Sequence, residues 1–229
     1  MSDSKKTPRD RFEAAFKAAR KGLSAFECWQ AFVYMAAFDI AAPMGQAEPF
    51  ADMAETARKQ AGEKLADYAE MFDALCAMLC ENPYQDALGD MFMRLGIGND
   101  AGGQFFTPYH LAKLVAIGAL DEERARSAIE DKGYVTVCEP ACGAGANVVG
   151  ACEDLSGYGI DWQRGALFDC QDVSELTALM CYLQLSLIGA AAVVRVGDTL
   201  RGEVKYSLTT PVFELDPLWT ARRMKGGAA

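Results

Sequence analysis

The chain has 229 residues, is 51% hydrophobic, and carries 22 basic against 32 acidic side chains for a net charge of −10. This size allows one substantial core with an appendage but hardly two large domains, and the charge argues against the isolated chain wrapping a nucleic-acid backbone, where Lys and Arg supply most of the affinity. No stretch reaches the roughly 18 to 20 apolar residues of a membrane span, and residues 1–6 have no apolar run behind their lysines, so a cytoplasmic protein is expected. Cys28, Cys76, Cys80, Cys138, Cys142, Cys152, Cys170 and Cys181 sit in helical or strand patterns and read as free thiols. A metal site is not expected, because the pairs Cys76/Cys80 and Cys138/Cys142 are spaced C-x3-C and the single histidine is His110.

Basic residues cluster at Lys5, Lys6, Arg9 and Arg11 and again at Arg222, Arg223 and Lys225. They read either as a local patch for DNA or as solubilising tails. From the start to about residue 96 the pattern is helical. Thr7-Pro8 places a capping threonine before a proline at the first helical position, and Ser24-Ala25-Phe26-Glu27 reads as a capping box. A long helix is predicted over 50–81, stopped by Asn82-Pro83, and Leu88, Met91, Phe92 and Leu95 form the next stripe, with Gly96 as its stop. The glycine-rich stretch at 98–103 marks the junction between a helical domain, 1–97, and a second domain, 98–229.

Thr107-Pro108 then opens a helix with Leu111, Leu114, Val115 and Gly118 on one face; a short helix follows over about 121–131. His110, in its first turn, reads as a surface or capping residue. Strands are predicted at 134–138, 166–168 and 191–196, with helices between them, the signature of a parallel sheet with crossover helices. After Gly197 the chain reads as irregular, with Pro211 and Pro217 limiting any strand to about 212–215.

The first strand runs straight into Glu139-Pro140-Ala141-Cys142-Gly143-Ala144-Gly145-Ala146. Backbone can approach a ligand closely there, in the crevice at a strand's C-terminal end. A phosphate loop is not indicated, since no Gly-Lys-Ser/Thr follows, and a dinucleotide would meet Glu139 unfavourably. A zwitterion with an amino group suits that carboxylate better. Asp172 follows the second strand, where a carboxylate accepts from ribose hydroxyls; Asp198 follows the third, placed to accept from an adenine amine. Together they point to S-adenosylmethionine (SAM).

Here the sequence resembles the modification subunit of type I restriction-modification systems and related N6-adenine DNA methyltransferases. Gly103-Gln104-Phe105-Phe106-Thr107-Pro108 resembles that family's G-x-F-x-T-P segment, and Glu139 to Ala146 its D-P-A-C-G-T-G-G loop. Asp172 with the helix from Thr177 to Leu185, and Gly197-Asp198-Thr199-Leu200, match the segments at the ends of its second and third strands. The resemblance covers roughly 84–200. It implies an α/β, Rossmann-like SAM-dependent methyltransferase fold with an N-terminal helical domain and a parallel sheet truncated at its C-terminal side. It implies a SAM site built from Phe106, Thr107, Pro108, Glu139, Pro140, Ala141, Gly143, Gly145, Asp172, Asp198, Thr199 and Leu200. It also implies DNA as substrate, reached through a partner such as a specificity subunit, and a homo- or hetero-oligomer.

The family's transfer loop, N/D-P-P-Y/F, accepts from the adenine amine and stacks on the flipped base. This chain has no Pro-Pro pair. Asn82-Pro83-Tyr84 precedes the fold and reads as a helix break, which leaves Asp216-Pro217-Leu218-Trp219, with Asp216, Pro217 and Trp219 at matching offsets. The alternative is a SAM-binding regulatory or decoy subunit without transferase activity.

Overall fold

The structure is a computed structural model and describes residues 6–100 and 106–226. Helices α1 (Pro8–Ala19), α2 (Ala25–Ala41), α3 (Ala51–Ala61), α4 (Leu65–Glu81), α5 (Ala87–Arg94) and the short α6 (Ile97–Asp100) make up a helical layer. Helices α7 (Tyr109–Ala119) and α8 (Glu122–Lys132) lead into β1 (Val135–Glu139), α9 (Ala146–Gly157), the single turn α10 (Trp162–Gly165), β2 (Ala166–Asp172), α11 (Glu175–Leu187) and β3 (Ala192–Val196). The described chain finishes with β4 (Tyr206–Thr209), α12 (Pro211–Leu215) and α13 (Pro217–Gly226). No helix among the described residues is long and apolar enough to cross a membrane.

Local signals set the helix starts. Thr7 and Ser24 each form a reciprocal capping box, with Asp10 and Glu27 respectively. The long helix expected over 50–81 is instead two, broken by a 3-10 turn at Gly62–Lys64 that lets α4 return along α1. Four of the basic residues near the two ends, Arg9, Arg11, Arg222 and Arg223, are held by partners within the fold; Lys5 and the side chain of Lys225 lie outside the described residues. Arg9 pairs with Asp90, Arg11 with Glu70 and Asp73, and Arg223 with Glu214, while Arg222 donates to the carbonyls of Gly133 and Arg164.

The described strands form one sheet in the order β1-β2-β3-β4. The first three are parallel, with Val137 beside Phe168 and Phe168 beside Ala192, and β4 is antiparallel to β3, with Leu208 beside Val194. Alternation puts Phe168, Cys170, Val194, Val196 and Leu208 on the face that packs under α11. Every residue of α11 from Leu176 to Leu185 is buried, because the sheet covers one side and α2 the other, where Tyr34 donates to Glu175 at 2.6 Å. One hydrophobic cluster therefore runs from Phe12 and Trp29 in the helical layer through Leu179 to Leu208 in the sheet, across the 97/98 junction.

The tail departs from the irregular segment expected. β4 was not foreseen, and the stretch over 212–215 is helical. Thr210 causes the change: its hydroxyl accepts from the Ala192 amide at 2.9 Å and donates to the Ala190 carbonyl at 2.6 Å, ending the sheet pairing, and Pro211 then starts a helix at its first position. Helix α7 packs through its small residues rather than its large ones. Its small residues Ala112 and Ala116 face inward against Gly150 of α9, where an added Cβ would lie 3.3 Å from that of Ala116, and the face with Leu111, Leu114, Val115 and Gly118 is exposed.

Candidate functional site

The turn between β1 and α9 is held from four sides. Cys142 donates its amide to the Gln171 carbonyl at 2.9 Å, fixing the loop to β2. Gly143 donates its amide to Asp172 at 2.8 Å, and Asp172 also accepts from the Ser174 amide and the Thr177 hydroxyl, each at 2.9 Å. Glu139 accepts from the Ala141 amide at 3.1 Å and from Asn147 at 2.9 Å. Thr199 donates its hydroxyl to the Pro140 carbonyl at 2.6 Å, tying the end of β3 to the turn. Gly145 enters α9 at φ 103, where a Cβ would come within 3.2 Å of the Cys181 sulfur; both the backbone angle and the space demand glycine.

Beneath the turn lies a polar link that the motif reading missed. Gln184 of α11 donates to the Ala144 carbonyl at 2.6 Å and to Asp86 at 2.9 Å, and accepts from the Leu88 amide at 3.0 Å. Asp86 caps α5 through the Gly89 amide at 2.9 Å, and burial pushes its carboxyl up from the usual carboxylate range. The available signal was a glutamine inside a helix that is otherwise apolar and buried. Cys142 and Cys170 lie against Cys181, and these thiol contacts together with burial push the Cys181 thiol well up. All eight cysteines are free, and no group of ligands suited to a metal occurs among the described residues.

A cavity of about 270 Å³ opens above the turn, lined by Phe106, Thr107, Ala141, Gly143, Asn147, Asp172, Ser174 and Thr177 among others. Its described lining contains no Lys, Arg or His. Phe106 forms the wall toward the helical layer, its ring 3.6 Å from where a Cβ on Gly143 would stand and edge-on to Phe92 at 5.1 Å. Asn147 keeps a buried carbonyl oxygen with no hydrogen-bond partner. A second cavity, of about 520 Å³, shares Phe106 and Thr107 and takes in Pro108, Tyr109, His110, Asp86 and Arg9.

The expected site residues are thus brought together unequally. Phe106, Thr107, Ala141, Gly143 and Asp172 line the smaller cavity; Pro108 lines the larger; Glu139, Pro140 and Gly145 shape the turn itself. Asp198, Thr199 and Leu200 border the turn without lining the cavity: Asp198 accepts from the Leu200 and Arg201 amides, and Leu200 is 99% exposed. Gly103, Gln104 and Phe105 of the G-x-F-x-T-P segment lie outside the described residues. Asn147, Ser174, Thr177 and Gln184 are additions that sequence reasoning did not single out.

Asp216, Pro217 and Trp219 are not brought to the turn. Asp216 caps α13 by accepting from the Leu218 amide at 2.7 Å, and Pro217 opens that helix. Trp219 is buried against Tyr134 and Phe213 and donates to the Gln163 carbonyl at 3.2 Å. Tyr134 precedes β1, so this indole sits at the N-terminal end of the strand whose C-terminal end carries the glycine turn. A sealed ring at that end has no face to offer a base.

The model of the N-6 DNA Methylase family matches residues 85–213. Among curated proteins, the type I restriction enzyme MjaIX methylase subunit of Methanocaldococcus jannaschii is 28% identical over 130 residues, which is 54% of this chain and 21% of that protein. The chain therefore spans about a fifth of the length of this relative. No solved structure matched. A match over more than half the chain, on the segment that builds the glycine turn, its cavity and the sheet, means that this chain belongs to the N-6 DNA methylase family.

Proposed function

We propose that the cavity above the β1–α9 turn binds SAM and that the chain is the cofactor-binding part of an adenine-N6 DNA methyltransferase. The observation that carries this reading is a cavity at the C-terminal end of a parallel strand, walled by Phe106 and lined by the Asp172 carboxylate, with Glu139 in the turn beneath and no basic side chain among its described lining residues. Phosphate ligands are disfavoured there, while a cationic, amine-bearing nucleoside is favoured. The donors and acceptors suit that ligand. Asp172 and Glu139 accept from hydroxyl and amino groups, the unpartnered Asn147 carbonyl takes one further N–H, and the first amides of α9 face a carboxylate. Bound SAM supplies an electrophilic methyl group. The chain's residues hold it: Phe106, Thr107 and Pro108 on one side, Glu139, Pro140, Ala141, Gly143 and Gly145 beneath, and Asp172 toward the ribose, with Asp198, Thr199 and Leu200 closing the rim. The sheet is read as a partial Rossmann-like methyltransferase sheet.

The described residues do not bring to the cavity the groups that accept the adenine amine and stack on the base, and a partner polypeptide, such as a specificity subunit, is read as supplying recognition of the DNA. A second reading, a SAM-binding subunit without transferase activity, is favoured by the position of Asp216 and Trp219 at the far end of β1. Titration calorimetry of the full chain with SAM tests both. Saturable binding is expected, and a folded sample that gives no heat sinks both. Transfer of labelled methyl groups to unmethylated DNA separates them: the chain alone is expected to give none, and label only in the presence of a specificity polypeptide supports the first.

A further inference from the structure

The larger of the two cavities, about 520 Å³, lies between the start of α5 and the entry to α7, within the range of about 300 to 1,000 Å³ of small-molecule sites. Asp86 lines it from the start of α5. It is only 4% exposed, and the Gly89 amide and the Gln184 amide both donate to its Oδ1, so Oδ2 has no donor among the described residues. Gly89 belongs to the same lining, and an added Cβ there would collide with Oδ2; glycine is what leaves that oxygen its place. Gln85 is in a matching state. Its amide spends both hydrogens on the carbonyls of Met78, at 2.8 Å, and Asn82, at 2.7 Å, which leaves its carbonyl oxygen to accept from the cavity. Arg9, the cation in this lining, is taken up by Asp90 at 3.0 Å. Met93 and the rings of Phe106 and Tyr109 supply apolar walls.

We propose that this cavity is the subsite for the base to be methylated. It takes a flat heteroaromatic ring with an exocyclic amino group, an adenine, whose amine donates one N–H to Asp86 Oδ2 and the other to the Gln85 carbonyl oxygen. The ring lies against Phe106 and Tyr109, as an extruded base lies between aromatic or apolar side chains. The proposal rests on the function proposed above and adds the place of the second reactant. The two cavities share Phe106 and Thr107, so a base held in the larger one lies next to a cofactor held in the smaller. Two acceptors without a free donor beside them also select. A base with a carbonyl in place of the amine sets its own lone pairs against theirs and leaves Oδ2 unpaired, which is how a polar site rejects a close analogue.

Saturation-transfer NMR of the full chain with free nucleosides tests it, with SAM in excess so that the smaller cavity is filled. Deoxyadenosine is expected to bind, and deoxyinosine, which carries a carbonyl where the amine stood, at least about tenfold more weakly. In Asp86→Asn the Oδ1 still accepts from Gly89 and Gln184, while the amide sets a donor where Oδ2 stood. The preference is therefore expected to pass from deoxyadenosine to deoxyinosine, an exchange that mere loss of structure does not produce. Met93→Trp, at a position 37% exposed and outside the smaller cavity, fills the larger one; it is expected to abolish binding of both nucleosides and to leave SAM affinity unchanged. Equal binding of the two nucleosides, binding of neither up to the millimolar range, an unaltered preference in folded Asp86→Asn, or deoxyadenosine binding untouched by Met93→Trp each overturns the proposal. A chain that takes no SAM sinks the function proposed above by itself, and the Met93→Trp arm still shows whether deoxyadenosine sits in the larger cavity.

Discussion

At the scale of single residues, Asp172 and Asp86 do different work with the same chemistry. Asp172 collects the Gly143 amide, the Ser174 amide and the Thr177 hydroxyl, so it holds the glycine turn whether or not a ligand is bound. Replacing it with asparagine turns an amide group toward one of those donors. Asp172→Asn is expected to weaken SAM binding by about 1 to 3 kcal/mol, the range for a donor left unpaired, and calorimetry checks it against the unsubstituted chain. Asp86 is buried and its carboxyl is raised by that burial above the ordinary value of 3.8. The folded state therefore binds the proton more tightly than the unfolded state. This contribution to stability is fully present below 3.8 and is lost as pH rises through the folded-state value. Asp86→Asn keeps an acceptor for Gly89 and Gln184 but has no proton to lose. Urea midpoints measured from acidic to neutral pH should fall for the parent over that window and show less fall for the variant; parallel curves would dismiss the assignment.

At the scale of elements, α13 and α7 show where periodicity misleads. Asp216-Pro217-Leu218-Trp219 has the residue types of a transfer loop at the right offsets, yet the same types start a helix: an aspartate cap, a proline at the first position, and an aromatic one turn in. Removing the buried indole tests this role. Trp219→Ala is expected to lower stability by about 3 to 5 kcal/mol while leaving SAM affinity unchanged at temperatures where the chain stays folded. A variant with intact stability but impaired ligand binding would return Trp219 to the site. In α7 the larger apolar residues formed the obvious face, but Gly150 gives the small face a closer approach to α9. Ala112 and Ala116 are the residues that meet it, and nothing in α7 alone reveals that its neighbour carries a glycine. The β-strands were more legible: runs over 134–138, 166–168 and 191–196 correspond to β1, β2 and β3; β2 and β3 are the largely buried runs that a parallel sheet favours, whereas β1, expected to be buried, is an edge strand with Thr136 and Cys138 exposed. β2 continues to Asp172 past the expected end, its polar residues Asp169 and Gln171 falling on the opposite face from Phe168 and Cys170.

At the scale of the whole molecule, helical layer and sheet depend on each other. Beyond the shared core, Gln46 exchanges hydrogen bonds with Thr209 at 2.6 and 2.7 Å, Trp162 donates to Tyr84 at 3.3 Å, and Phe50 stacks on Tyr206. A fragment of residues 98–229 would expose the α2-facing side of α11. It is expected to lack a cooperative thermal transition by calorimetry, whereas the full chain melts in one step; a cooperative fragment would mean that the sheet carries its own core. The sequence by itself determined the glycine turn, the order of strands and helices around it, and the acidic character of its border, because these follow from local backbone demands and hydrophobic period. Only the tertiary structure decided that Gln184 and Asp86 support the turn from below, that Asp198 caps its own turn beside the cavity, that Trp219 seals the opposite end of β1, and that α7 faces outward. Each of those outcomes rests on which distant surfaces fit most closely, a property of pairs of elements that no single segment encodes.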